Sequence, residues 1–228
     1  MSDRIHATDE RFYSPAAVHH FAEHARTGFA NAGKPVPAEV DKLILETTVT
    51  AIFAADFAAR IGLEMWLRPV DPRQQAPDVE IIHHTLEDVG FVRQVLLVEV
   101  VSYTYHTDES LEEFLLRTKL DGRRAYPSNT IILVHAERSI SRQEITHTSS
   151  ALSNLTGFPP VFLCNCVDEN LHQVIGIYPR LTEVGHVRLT ELLASEQPLA
   201  LDTHRGLSRE GRISEEPIST PNPFLQYL

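Results

Sequence analysis

Asp78 and Glu99 are the residues whose types and spacing point most directly to chemistry. Glu99 is the one charged residue in the apolar run 95–101, and an ionised carboxylate in such surroundings is costly unless something pairs with it. The stretch 76–102 reads as two strands around a turn centred near Asp88 to Gly90, and antiparallel pairing then sets Asp78 opposite Glu99. Directly opposed residues share a face about 5 Å apart. Two acids so placed repel, and a bound cation resolves the repulsion, since Mg2+ is typically held by one or two carboxylates together with phosphate oxygens. The competing reading pairs Glu99 with a buried arginine, Arg60 or Arg93.

Other chemistry-bearing groups are weaker. His20-Phe21-Ala22-Glu23-His24 fits the spacing of an inverted zinc-peptidase helix, in which two histidines one turn apart hold zinc. Both histidines fall opposite the apolar stripe of their helix, so a solvated polar face accounts for the pattern. Cys164 and Cys166 alternate along a strand, too close in the chain for an ordinary disulfide, and read as buried thiols. Lysine occurs only at Lys34, Lys42 and Lys119, which makes each one worth locating.

The elements that must carry these groups follow from capping and periodicity. Ser14-Pro15 opens a helix to about Asn31, stopped at Gly33. After Lys34-Pro35-Val36-Pro37 comes the longest helix, Ala38 to Arg60, ended by Gly62; Glu46 sits beside its buried stripe, at the rim or turned inward to a site. Leu63–Leu67 reads as a strand stopped by Pro69, followed by a loop at 71–75 and the hairpin, whose first strand sends Val79 and Ile81 to one face and Asp78, Glu80 and His84 to the other. Ser110-Leu-Glu-Glu113 is a capping box for a helix to about Leu120, and Ser141-Arg-Gln-Glu144 is another for a helix to about Leu155. Thr130–His135, Val161–Val167 and Val174–Tyr178 read as buried strands, and Val187–Leu193 as a short helix. From Glu196 the proline-rich, polar chain reads as an extended arm with a hydrophobic tip, 223–228, suited to docking on its own domain or on a partner.

The expected fold class is α/β: a mixed central sheet flanked by helices. Residues 1–37 form an N-terminal helical extension, 38–180 the core, and 181–228 a C-terminal helix and arm. At 228 residues, with 43% hydrophobic and 22% charged residues, the chain can bury a full core, and no run is long enough for a membrane span. The polar start MSDRIHATDER argues against a signal peptide, and the expected location is cytoplasmic. A net charge of -11 argues against broad attraction to nucleic acid while leaving room for a local basic groove.

The element order across Ala38–Tyr178, with Pro77-Asp78 opening one core strand and Glu99 in the next, resembles the restriction-endonuclease-like fold of the PD-(D/E)XK nuclease superfamily. The resemblance implies a Mg2+ site with Asp78 and Glu99 as metal ligands and Glu46 as the acid contributed by the first core helix. The family's lysine, two residues after the glutamate, is Val101 here, and valine can neither donate a hydrogen bond nor stabilise developing charge. Some members supply that lysine from the following helix; Lys119 is the candidate, with Arg117 and Arg123 behind it.

Two functions follow. Val101, the acidic charge and the docking tail favour a non-catalytic, degenerate nuclease-like protein, a binding or scaffold subunit of a bacterial defence or nucleic-acid-processing assembly, with a protein partner or a second copy bound through the tail and no cofactor. The alternative is an active Mg2+-dependent phosphodiesterase with Asp78, Glu99 and Lys119 as its catalytic group and Asp78, Glu99 and Glu46 as metal ligands.

Overall fold

The computed structural model describes residues 11–70, 77–87, 90–104, 109–137, 139–195 and 200–202, with side chains described for these except at 11, 84–87, 90–93 and 200–202. The fold is mixed α/β. Among the described residues nine strands form one sheet: β1 (Arg11–Tyr13), β2 (Trp66–Pro69), β3 (Val79–Glu87), β4 (Gly90–Tyr103), β5 (Thr130–Ala136), β6 (Val161–Cys166), β7 (Leu171–Tyr178), β8 (Gly185–Arg188) and β9 (Ala200–Asp202). Their spatial order is β8-β7-β6-β5-β4-β3-β2-β1-β9. The β4–β5 and β5–β6 pairs are parallel and every other pair is antiparallel.

Helices α1 (Pro15–Asn31) and α2 (Ala38–Ile61) cover one face, packing Val18 and Phe53 against Val79, Val98, Leu133 and Phe162. Helices α3 (Leu111–Thr118) and α4 (Arg142–Leu152) cover the other, where Leu115 and Ile145 meet Ile132, Val134 and Leu163. Strands β5 and β6 are buried and mostly apolar on both sides because both faces are covered. A short helix, α5 (Leu189–Leu193), follows β8.

The caps act as their residue types dictate. Ser14 Oγ accepts from Ala17 N, Ser110 and Glu113 exchange both bonds of a capping box, and Gly62 closes α2 at φ 68°, a left-handed conformation that suits glycine.

Several boundaries differ from the sequence reading. β2 begins at Trp66 and includes Pro69, which pairs with Val79 beyond the point where β1 touches β2, so its missing N–H leaves no ladder bond unmade. Residues 185–188, which include the first two of the expected short helix, form β8, because alternating burial at Gly185 and Val187 against β7 outweighs helical spacing, and the remainder, Leu189–Leu193, is helical. The polar stretch after Glu196 returns at residues 200–202 as β9, paired with β1, which itself had no clear sequence signal. The loop at 71–75, the turn at 88–89 and the tip at 223–228 lie outside the described residues.

Candidate active site

The sheet opens where β3 leaves β4. β3 follows β4 only as far as Val79 opposite Val98, whereas β4 continues to Tyr103 alongside β5. At the fork, Asp78 N donates to Val98 O, and the Asp78 carboxylate accepts from Val100 N at 2.8 Å, replacing the ladder bond that a departing strand no longer supplies. Asp78 is therefore opposite Glu99 in register, as the hairpin pattern predicts.

Glu99 alternates with Val98 and Val100, which face α2, and so projects toward α3. The crossover from β4 to β5 decides what it meets there. β5 begins at Thr130 beside Leu97, so α3, running back along β4, must end near the level of Glu99. Lys119 caps that end, with its carbonyl accepting from Tyr126 Oη at 2.9 Å, and its Nζ donates to Glu99 Oε2 at 2.7 Å. Arg124 Nη1 reaches the same oxygen at 3.4 Å from the following loop. Glu99 is 4% exposed, so these cations hold its charge inside the fold.

From the opposite face α2 contributes Glu46, 5% exposed and turned inward, with Lys42 one turn earlier at 3.3 Å. Glu46, Asp78, Glu99, Lys119, Lys42 and Arg124 together line a cavity of about 700 Å3, closed on one side by Tyr126. Burial and the neighbouring Asp78 push the Glu46 carboxyl up to about 7, against the pull of Lys42 and Lys119. Burial raises Asp78 as well, opposed by the Val100 N–H and the two lysines and reinforced by Glu99.

Of the anticipated partners of Glu99, Arg60 is engaged elsewhere: its Nε donates to Asp56 at 2.7 Å, and its Nη2 donates to the carbonyls of Val174 and Glu183. The Arg93 and His84 side chains lie outside those described. Arg117 pairs with Glu109 and Arg123 with Asp121 at the surface, so neither enters the cavity. Arg124 and Tyr126 were not anticipated from the sequence, and Lys42 was not assigned to the site. Lys42 was legible as one of three lysines, one turn before Glu46; the other two depend on the loop after α3. His20 and His24 are exposed; of the two thiols expected to be buried, Cys164 is, whereas Cys166 is only half-buried and donates to Asp168 O.

Each carboxylate keeps one oxygen, Glu46 Oε2, Asp78 Oδ1 and Glu99 Oε1, that accepts no hydrogen bond from a described residue. No three His, Cys, Asp or Glu side chains among the described residues stand close enough together to hold a metal ion by themselves. A hard cation in this cavity would draw the rest of its shell from water or phosphate oxygens, the usual manner of Mg2+. No helix among the described residues is long and apolar enough to cross a membrane. Compared with known proteins, the chain matches no family model, no curated protein and no solved structure.

Proposed function

We propose that the cavity is the active site of a Mg2+-dependent phosphodiesterase of the PD-(D/E)XK type, with the motif lysine relocated from position 101 to Lys119. The observation that carries the reading is the 2.7 Å contact of Lys119 Nζ with Glu99 in the same cavity as Asp78 and Glu46. Each of those carboxylates has one uncommitted oxygen, and one or two of them, with water and phosphate oxygens completing the shell, would suit a hard cation such as Mg2+. When bound, the ion supplies Lewis-acid stabilisation of phosphate charge and a more acidic water. Lys119 is positioned to hold that water or donate to a non-bridging phosphate oxygen, and Arg124, at the mouth, to neutralise charge on the phosphate.

A second reading keeps the same cavity without catalysis. Lys42, Lys119 and Arg124 already balance the three acids in number, so the site reaches neutrality without a metal, and Val101 leaves the family's usual position empty of a cation. The protein is then a degenerate nuclease-like binding or scaffold subunit. Titrating wild type and Glu99→Ala with Mg2+ or Mn2+, followed by thermal shift and nucleic-acid cleavage, separates the two. Cation stabilisation and cleavage, both lost in the variant, support the enzyme. A cation-indifferent wild type together with a merely destabilised Glu99→Ala supports the scaffold.

A further inference from the structure

Beside the charged cavity lies a second, smaller groove of about 350 Å3, and the two share the wall made by Tyr126 and Pro127. Its other surfaces are Ser128, Gly157, Phe158, Pro159, Pro160 and Pro179, and no charged side chain among the described residues lines it. The contrast between the two is chemical. One holds the cations and carboxylates that suit a phosphate, and the other offers flat apolar walls that suit a ring. A ligand filling both must join an anionic unit to a planar one over a short span, which describes a nucleotide unit of a strand.

The groove is held in shape by bonds that a ligand need not supply. Tyr126 Oη donates to Lys119 O, Pro160 O accepts from Ile132 N at 2.9 Å, and Pro127 O accepts from Thr130 N at 3.1 Å. Tyr126 and Phe158 are partly buried against the core beneath α3 and α4, so their rings are anchored while part of each stays accessible. Little ordering is left to occur on binding.

Charge decides which kind of strand fits. A duplex is bound chiefly through many phosphate contacts, and its bases are stacked away from side chains. This chain carries a net charge of -11, and two of the three cations in the cavity are engaged with Glu99. Single strands instead take much of their affinity from base stacking on aromatic rings. We propose that the Tyr126–Phe158 groove seats an unstacked base of single-stranded nucleic acid whose adjoining phosphate lies in the charged cavity. This rests on the phosphodiesterase reading for its phosphate half only.

The test uses a twelve-nucleotide single strand carrying one 2-aminopurine, the same sequence as a duplex, and dAMP, each titrated with the full chain in Ca2+. The expected result is 2-aminopurine quenching with the single strand, at least tenfold weaker binding of duplex and of dAMP, and about a tenfold loss of single-strand affinity in Phe158→Leu, with recovery in Phe158→Trp. Phe158→Leu keeps an apolar side chain against the core, and equal melting temperatures of wild type and variant exclude a folding defect. Unchanged single-strand affinity in Phe158→Leu, duplex binding as tight as single-strand binding, or dAMP as tight as the strand overturns the proposal. A proline-rich peptide that binds the groove and displaces no oligonucleotide also overturns it. Cleavage of single strand and duplex alike with no effect at Phe158 sinks the base site and leaves the enzyme standing. Phe158-dependent single-strand binding with no response to Mg2+ does the reverse.

Discussion

The carboxyl of Glu46, raised to about 7 by burial and by Asp78, would make the proposed cation binding a proton-coupled event. A metal needs the ionised form, so near pH 6 binding releases a proton, and Mg2+ affinity should climb as pH rises through 7 and level off above it. Calorimetry in buffers of different ionisation enthalpy reads the released proton directly, and Glu46→Gln should abolish both the release and the slope. The stability sign is opposite. The folded pKa lies above the unfolded one, so Glu46's contribution is fully present below pH 4.5 and is lost as pH rises through 7. Lys119 bears the second single-residue test. Lys119→Met leaves buried Glu99 with Arg124 alone and should cost about 3 kcal/mol in urea unfolding, since breaking a buried pair typically costs about 3–5. Cleavage should fall with it, and Lys119→Arg should recover stability better than activity, because a planar guanidinium does not reproduce a point ammonium.

At the level of elements, the fork between β3 and β4 gives Asp78 a structural part besides the proposed chemical one. Its carboxylate is the acceptor that ends the ladder at Val100 N, and a buried donor left unmade costs about 1–3 kcal/mol. Asp78→Asn keeps an acceptor and should fold with near-wild-type stability while losing the cation response; Asp78→Ala should lose both, as thermal melts with and without Mg2+ would display. The packing of α1 on the sheet has its own pH signature. His19 is buried, its Nε2 has no hydrogen-bond partner among the described residues, and burial, reinforced by His172, Arg26 and His20, lowers its pKa to about 4. His172 and His135 are lowered too, chiefly by burial. The unfolded chain then binds more protons than the folded one between pH 6.5 and 4, so stability is present above pH 6.5 and falls toward pH 4. For His19 the loss is about 3 kcal/mol. Urea unfolding at pH 7 and 4.5 should reveal it, and His19→Leu should remove that share of the slope.

For the molecule as a whole, an acidic chain whose charged cavity holds three cations should bind nucleic acid locally. With Lys42, Lys119 and Arg124 as the cavity's cations, no more than three phosphates can be neutralised there. The slope of log affinity against log salt for a single strand should therefore be no steeper than about -2, from about 0.7 per phosphate contact. A slope near -6 would mean that a second basic surface does most of the binding.

Patterns with short reach were legible in the sequence. Ser14-Pro15, Ser110 with Glu113 and Gly62 set helix ends through bonds between near neighbours, and the alternation in 76–102 set the hairpin register that brings Asp78 opposite Glu99. An isolated glutamate in an apolar strand announced that it needed a partner. Which partner depended on where a crossover helix ends relative to a strand some twenty residues earlier, and that is fixed by the parallel pairing of Leu97 with Thr130. The same pairing brings Lys119 and Arg124 to Glu99, where Arg60 was one expected partner, and puts Tyr126 over the site. Short strands such as β1 and the edge strands β8 and β9 also needed the tertiary structure, because a few residues carry too little periodicity until a neighbouring strand offers its free edge. Local propensity and pattern thus named the acids, and long-range strand pairing decided what surrounds them.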